Sequence, residues 1–217
     1  MIERSGYGFH RGILAGALLT LLGLTAAHGE QATRGEPATH GESAAHGDPA
    51  ASPSHFVLTS PDARLATQFP NKYVMNGYGC KGGNESPPLQ WSGAPPGTLS
   101  FVLTLFDMDE HSTPSGWWHW VVYDLPASAA RLTAGAGALH GTALPRGTLQ
   151  GRTDLGTDDY HGPCPDKGDA PHRYVFTLYA LNVAKLPVAA DSSGAMVVAT
   201  LREHLLDTAT LVVRHGR

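Results

Sequence analysis

Residues 116–122 read Gly-Trp-Trp-His-Trp-Val-Val, and this stretch decides how the rest of the chain is read. Three tryptophans and two valines around one histidine have high strand propensity. Side chains alternate along a strand, so Trp117, His119 and Val121 are expected on one face and Trp118, Trp120 and Val122 on the other. Both faces carry large apolar groups, so the strand is expected to be buried on both sides. A histidine enclosed there needs partners for two ring nitrogens. The bland alternative is a core histidine bonded to backbone.

Outward from this strand, runs of aliphatic and aromatic residues at 56–59, 100–106 and 173–181 read as further strands, cut by turn residues. Residues 194–206 place Met196, Val197, Thr200, Leu201, His204 and Leu205 at helical spacing, with Ser192 or Ser193 as the cap. Residues 208–213 read as a last strand. Long Gly- and Pro-rich loops are expected at 77–88, 107–116 and 153–171, and loops of that length often carry function. The result is a mainly β domain over residues 56–217.

The amino-terminal third is different. Residues 1–29 read as a secretory signal. Arg4 and Arg11 precede an apolar run at 13–27 that is shorter than the roughly 20 residues a bilayer needs. An uncleaved membrane anchor is the alternative. Residues 28–51 repeat with a period of six, His-Gly-Glu-Gln-Ala-Thr being the first unit, and carry no large apolar side chain. Residues 30–55 therefore read as a disordered linker. His28, His40 and His46 could hold a metal weakly, but a solvated linker is the preferred reading. Export places the protein in the periplasm or outside the cell, with no membrane span after signal cleavage. Net charge −4 excludes a general bias toward nucleic acid.

Two cysteines, Cys80 and Cys164, lie in separate Gly-rich loops. In an oxidising compartment they are expected to pair, a bridge worth about 4–5 kcal/mol by chain entropy. Two independent thiols are the alternative. Asp107, His119, His172 and Tyr174 stand at strand ends, and His172 shares a face with Tyr174, Phe176 and Leu178. If these strands are neighbours, a carboxylate, two imidazoles and a phenol meet. That set suits an anion, with Lys81, Arg152, Lys167 and Arg173 supplying positive field and Pro163, Pro165 and Pro171 stiffening the mouth.

Several motifs together carry a resemblance. Gly-Gly-Asn-Glu-Ser-Pro-Pro-Leu (82–89), Trp91, Pro-Pro-Gly-Thr (95–98), Asp-x-Asp (107–109), the tryptophan strand, Gly-Arg-Thr-Asp-Leu-Gly (151–156), Tyr-His-Gly-Pro-Cys-Pro (160–165) and His-Arg-Tyr-Val-Phe (172–176) occur in one order. That order resembles the phosphatidylethanolamine-binding protein family, above all its bacterial, Raf kinase inhibitor-like branch. The resemblance implies a large antiparallel sheet packed on a smaller one, with a few peripheral helices. It also implies a small anion pocket, with Asp107, His119, His172 and Tyr174 at the family's pocket positions and Trp117 and Pro165 beside them. A cis-proline near Pro87–Pro88 or Pro165 and a homodimer are further implications. The chain departs from the family at Glu110-His111 and at Asp166, where added acid weakens anion binding.

The expected function is therefore an exported binding protein for an anionic small molecule, a phosphate or a phospholipid headgroup, which modulates a partner protein. The alternatives are an inhibitor of a protease or other enzyme acting through its surface, and a hydrolase using Asp107 and His119. No Gly-x-Ser-x-Gly elbow or His-Glu-x-x-His motif is present, so no enzyme, cofactor or metal site is expected.

Overall fold

The structure is a computed structural model that describes residues 55–217; the signal and most of the linker expected before them lie outside the described residues. Ten strands and one α-helix follow in order: β1 (Val57–Thr59), β2 (Asn76–Gly77), β3 (Cys80–Lys81), β4 (Leu89–Ser92), β5 (Ser100–Asp107), β6 (Trp117–Pro126), β7 (Arg131–Leu132), β8 (Leu149–Gln150), β9 (His172–Leu181), α1 (Gly194–Leu201) and β10 (Leu205–His215). Five strands form an antiparallel sheet in the order β10-β9-β5-β6-β8. Three more form a smaller antiparallel sheet, β1-β4-β7, and β2 and β3 form a hairpin. No helix among the described residues is long and apolar enough to cross a membrane.

One hydrophobic core lies between the two sheets. Phe101, Leu103 and Leu105 of β5 and Tyr174, Phe176 and Leu178 of β9 point into it. Phe56, Leu58, Leu89, Trp91 and Leu132 meet them from the smaller sheet side, with ring centroids 5.6 Å apart for Trp91 and Phe101. Each such side chain contributes about 1.5–3 kcal/mol on burial. The opposite face of the large sheet is covered in part by α1, where Val197 and Leu201 pack with Val102, Val121 and Tyr123. Ser193 caps that helix, its hydroxyl accepting from the Met196 amide at 3.4 Å.

The tryptophan strand departs from simple alternation. Leu105 pairs with Trp120 and Phe106 with Trp118, so one residue of β6, His119, is extra at that step. This β-bulge puts Trp118 on the α1 face, against Phe106 at 4.4 Å between ring centroids, while Trp120 and Val122 enter the main core. Trp118 and Trp120 thus lie on opposite faces, not on one as alternation alone predicts.

The helix is also shorter than its periodicity predicts. It ends at Leu201; a single 3₁₀ turn, Arg202–His204, follows, and β10 begins at Leu205 where pairing with Leu181 of β9 becomes available. The ladder to β9 satisfies the backbone that a longer helix would have claimed. Strands β4, β7 and β8 were not legible in the sequence. They are two to four residues long and owe their form to pairing with β1, β4 and β6.

Candidate functional site

The large sheet sets the site at one end of its central strands. Asp107, the last residue of β5, pairs with Trp117 of β6 on one side and Tyr174 of β9 on the other. Three loops close over these ends, and they are the three long loops expected from the sequence. The chain between β5 and β6 brings Glu110 and Ser112, the β2–β3 turn brings Tyr78, and the chain between β8 and β9 brings His161, Cys164 and Asp166. Together they enclose a cavity of about 290 Å³, floored by Asp107, Trp117, His119 and Tyr174.

Each loop is held for a visible reason. At Gly116, where the chain enters β6, φ is +92°, and a Cβ would lie 2.5 Å from the Asp107 carbonyl oxygen. Only glycine fits that return. Gly162 passes so close to Tyr73 that a Cβ would sit 2.1 Å from its carbonyl oxygen. Asn84 clamps the same loop: its Oδ1 accepts from the Gly162 amide at 2.9 Å and its Nδ2 donates to the Tyr160 carbonyl at 3.2 Å. The Cys80–Cys164 disulfide, expected from the sequence, ties the loop to the β2–β3 hairpin, with Cα atoms 6.0 Å apart. Ser86 is a buried strut whose hydroxyl accepts from the Gly137 amide at 2.8 Å.

The bulge turns His119 toward the cavity. Its Nδ1–H donates to the His161 carbonyl at 2.9 Å, because a carbonyl can only accept. In the neutral ring Nε2 is then a lone pair, and it has no partner among the described residues. Burial pushes the His119 pKa down to about 4, against the pull of Asp107 and the His161 carbonyl. His119 thus offers the cavity an acceptor near neutral pH, and not a positive charge for an anion.

His172 stands behind Asp107. It is outside the cavity lining, with Nδ1 2.8 Å from Asp107 Oδ2 and Nε2 3.5 Å from Asp169 Oδ2. Burial alone would lower its pKa, but the hydrogen bond and charge of Asp107 win and raise it. The Asp–His pair anticipated from the sequence is therefore Asp107 with His172, and the second ring nitrogen turns toward Asp169 and away from the cavity. Tyr174 is fully buried, and its phenol is pushed up by burial and then by Asp107. Its ring lies 5.3 Å from that of His119.

Of the other residues singled out in the sequence, Trp117 lines the cavity and Pro165 does not; Pro165 is buried, its carbonyl accepting from the Arg217 guanidinium. Lys81, Arg152, Lys167 and Arg173 are likewise absent from the lining. Arg173 is held by Asp109, with bonds of 2.8 and 2.6 Å. No lysine or arginine among the described residues lines the cavity, whereas Asp107, Glu110 and Asp166 do. Sequence reasoning missed His161. Asp159 can only accept, so His161 Nε2 carries the proton toward Asp159 (3.1 Å) and Thr157 (2.6 Å). Its Nδ1 is a buried acceptor without a partner. The neighbouring Asp-Asp-Tyr-His at 158–161 was a signal that could have found it.

The sequence model of the family described as phosphatidylethanolamine-binding protein matches residues 59–215, nearly all of the described fold. The chain belongs to the phosphatidylethanolamine-binding protein family. Among its relatives is Escherichia coli YbcL, 45% identical over 161 residues, which cover 74% of this chain and 87% of YbcL. Escherichia coli YbhB is 45% identical over 154 residues, 71% of this chain and 96% of YbhB. The crystal structure of YbcL superposes with a TM-score of 0.71 at 44% identity, covering 75% of this chain and 98% of that one. A family homologue from Chlamydia trachomatis follows with a TM-score of 0.63 at 30% identity, over 76% of this chain and 99% of its own. The family's fold, a mainly antiparallel β structure with few helices, is the one described above.

Proposed function

We propose that this protein is an exported binding protein whose cavity takes a small ligand with an acidic group, a phosphate or a phospholipid headgroup, together with a proton. The observation that carries the proposal is His119. It is nearly buried, oriented by the His161 carbonyl, and left with one unpartnered nitrogen in a cavity between Trp117 and Tyr174. With Asp107, Glu110 and Asp166 around the same space, a fully ionised phosphate is repelled; a protonated acid, or an anion arriving as His119 takes up a proton, is not. Family membership and the sequence of residues 1–29 support the reading of an exported ligand binder.

Binding rather than hydrolysis fits the side chains present. Cys164 is consumed in the disulfide, Ser86 is bonded into the fold, and Asp107 orients His172, not His119. The test is thermal unfolding of the protein in EDTA with inorganic phosphate or phosphoethanolamine, near pH 5 and near pH 7.5, for the wild type and His119→Gln. Stabilisation should be larger at the lower pH and be lost in the variant. Equal stabilisation of both proteins, or none at either pH, would overturn the proposal.

A further inference from the structure

Asp107, Glu110 and His172 each present a ligand-type atom, and these three atoms lie within 4.8 Å of one another. We infer that these side chains form a site for a divalent transition metal, zinc being the probe ion, with an open coordination position facing the cavity.

Two of the three ligands are fixed by the fold. Asp107 ends β5, His172 opens β9, and they are only 1% and 3% exposed. Glu110 is the adjustable ligand. It sits on the loop between β5 and β6, where the Ser112 amide donates to its Oε1 at 2.8 Å. Two carboxylates and one imidazole match a borderline ion such as zinc. Calcium takes about six to eight oxygens, and copper(I) prefers sulfur. Zinc bonds of about 2.0–2.2 Å place neighbouring ligand atoms roughly 3–3.5 Å apart, so insertion asks for an inward swing of Glu110, a slight separation of Asp107 Oδ2 from His172 Nδ1, now 2.8 Å apart, and loss of the proton between them. Asp169, 3.5 Å from His172 Nε2, stands where a carboxylate orients a ligating imidazole from behind.

An independent feature points the same way. His119, 8% exposed and lining the same cavity, keeps Nε2 without a partner among the described residues. The cavity also has acid in its lining and no lysine or arginine among the described residues. A metal at this position would supply the positive charge that an acidic ligand needs. The site does not depend on that ligand, however. Zinc binding is measured without phosphate, and phosphate binding in EDTA, so either proposal can fail alone.

The experiment titrates zinc chloride into chelator-stripped full-length protein by calorimetry. It uses a His28→Ala/His40→Ala/His46→Ala background that removes the histidines of the repeat. One zinc per chain is expected. Glu110→Gln, a partly exposed loop change that spares the core, should weaken binding about tenfold or more, whereas Asp166→Asn, at the rim but outside the triad, should leave it within about twofold. Cobalt(II) in place of zinc should give visible bands that Glu110→Gln alters. No zinc uptake at micromolar concentrations would overturn the inference. So would equal affinity in Glu110→Gln, or an equal loss in Asp166→Asn, which would mark a diffuse field and not a site.

Discussion

Acidification is expected to cost this fold stability through His119, and the size of the loss follows from its surroundings. Its pKa falls from the ordinary 6.5 to about 4, first through burial. Asp107 at the end of β5, Glu110 on the following loop and the His161 carbonyl pull the other way and do not prevail; the Tyr174 ring of β9 closes the remaining side. Each factor of ten in proton affinity is worth about 1.4 kcal/mol, so a neutral His119 contributes roughly 3 kcal/mol to the fold near pH 7. The sign follows from a lowered folded pKa. The unfolded chain binds the proton first, so this contribution is complete above about pH 6.5 and is lost as pH falls toward 4, by about 1.4 kcal/mol per pH unit. His161 and His215 are lowered by burial as well, so the useful quantity is the difference between wild type and His119→Gln, measured by urea unfolding at several pH values. The wild-type stability should fall more steeply than the variant's between about pH 6.5 and 4.5, and the His119 ring resonances should not titrate until well below 6. Parallel stability lines, or a ring that titrates near 6.5, would refute the reasoning.

Three further outcomes are expected. His172 has the opposite sign: its raised pKa means its pairing with Asp107 stabilises fully below about pH 6.5 and is lost as pH rises through the folded value, so the advantage of wild type over His172→Gln should shrink as pH rises above about 6.5 in the same unfolding series. Reduction of Cys80–Cys164, which spans 84 residues, should cost about 4.5 kcal/mol by the chain-entropy estimate and weaken ligand stabilisation, read as a lower urea midpoint in dithiothreitol. Gly162→Ala would force its Cβ onto the Tyr73 carbonyl and so displace the loop that orients His119; a loss of about 3 kcal/mol or more is expected from calorimetric melting, together with loss of phosphate-induced stabilisation.

The central strands were legible because their apolar runs are long and alternate in a way that only buried strands explain. The alternation from His172 to Leu178 points His172, Tyr174, Phe176 and Leu178 to one side, and in β9 these four are buried. The short strands were not legible, because a two-residue segment such as Arg131–Leu132 has no periodicity to read and is a strand only by virtue of its partner. The same holds at the site. Asp107, Trp117, His119 and Tyr174 advertise themselves as polar or aromatic residues at strand ends, and the three loops advertise their length.

By itself, the sequence determined the family, the order of the central strands along the chain, and the residue types that meet at the end of the large sheet. Only the tertiary structure decided which way those residues face and what they bond. The extra residue at His119 puts Trp118 and Trp120 on opposite faces, because a bulge depends on pairing with β5 and not on β6 alone. Whether His119 donates or accepts depends on a carbonyl 42 residues away in the chain, and whether His172 looks into the cavity depends on Asp107 and Asp169 competing for its two nitrogens. Hydrogen-bond roles are set by neighbours in space, and no local pattern of residues encodes them.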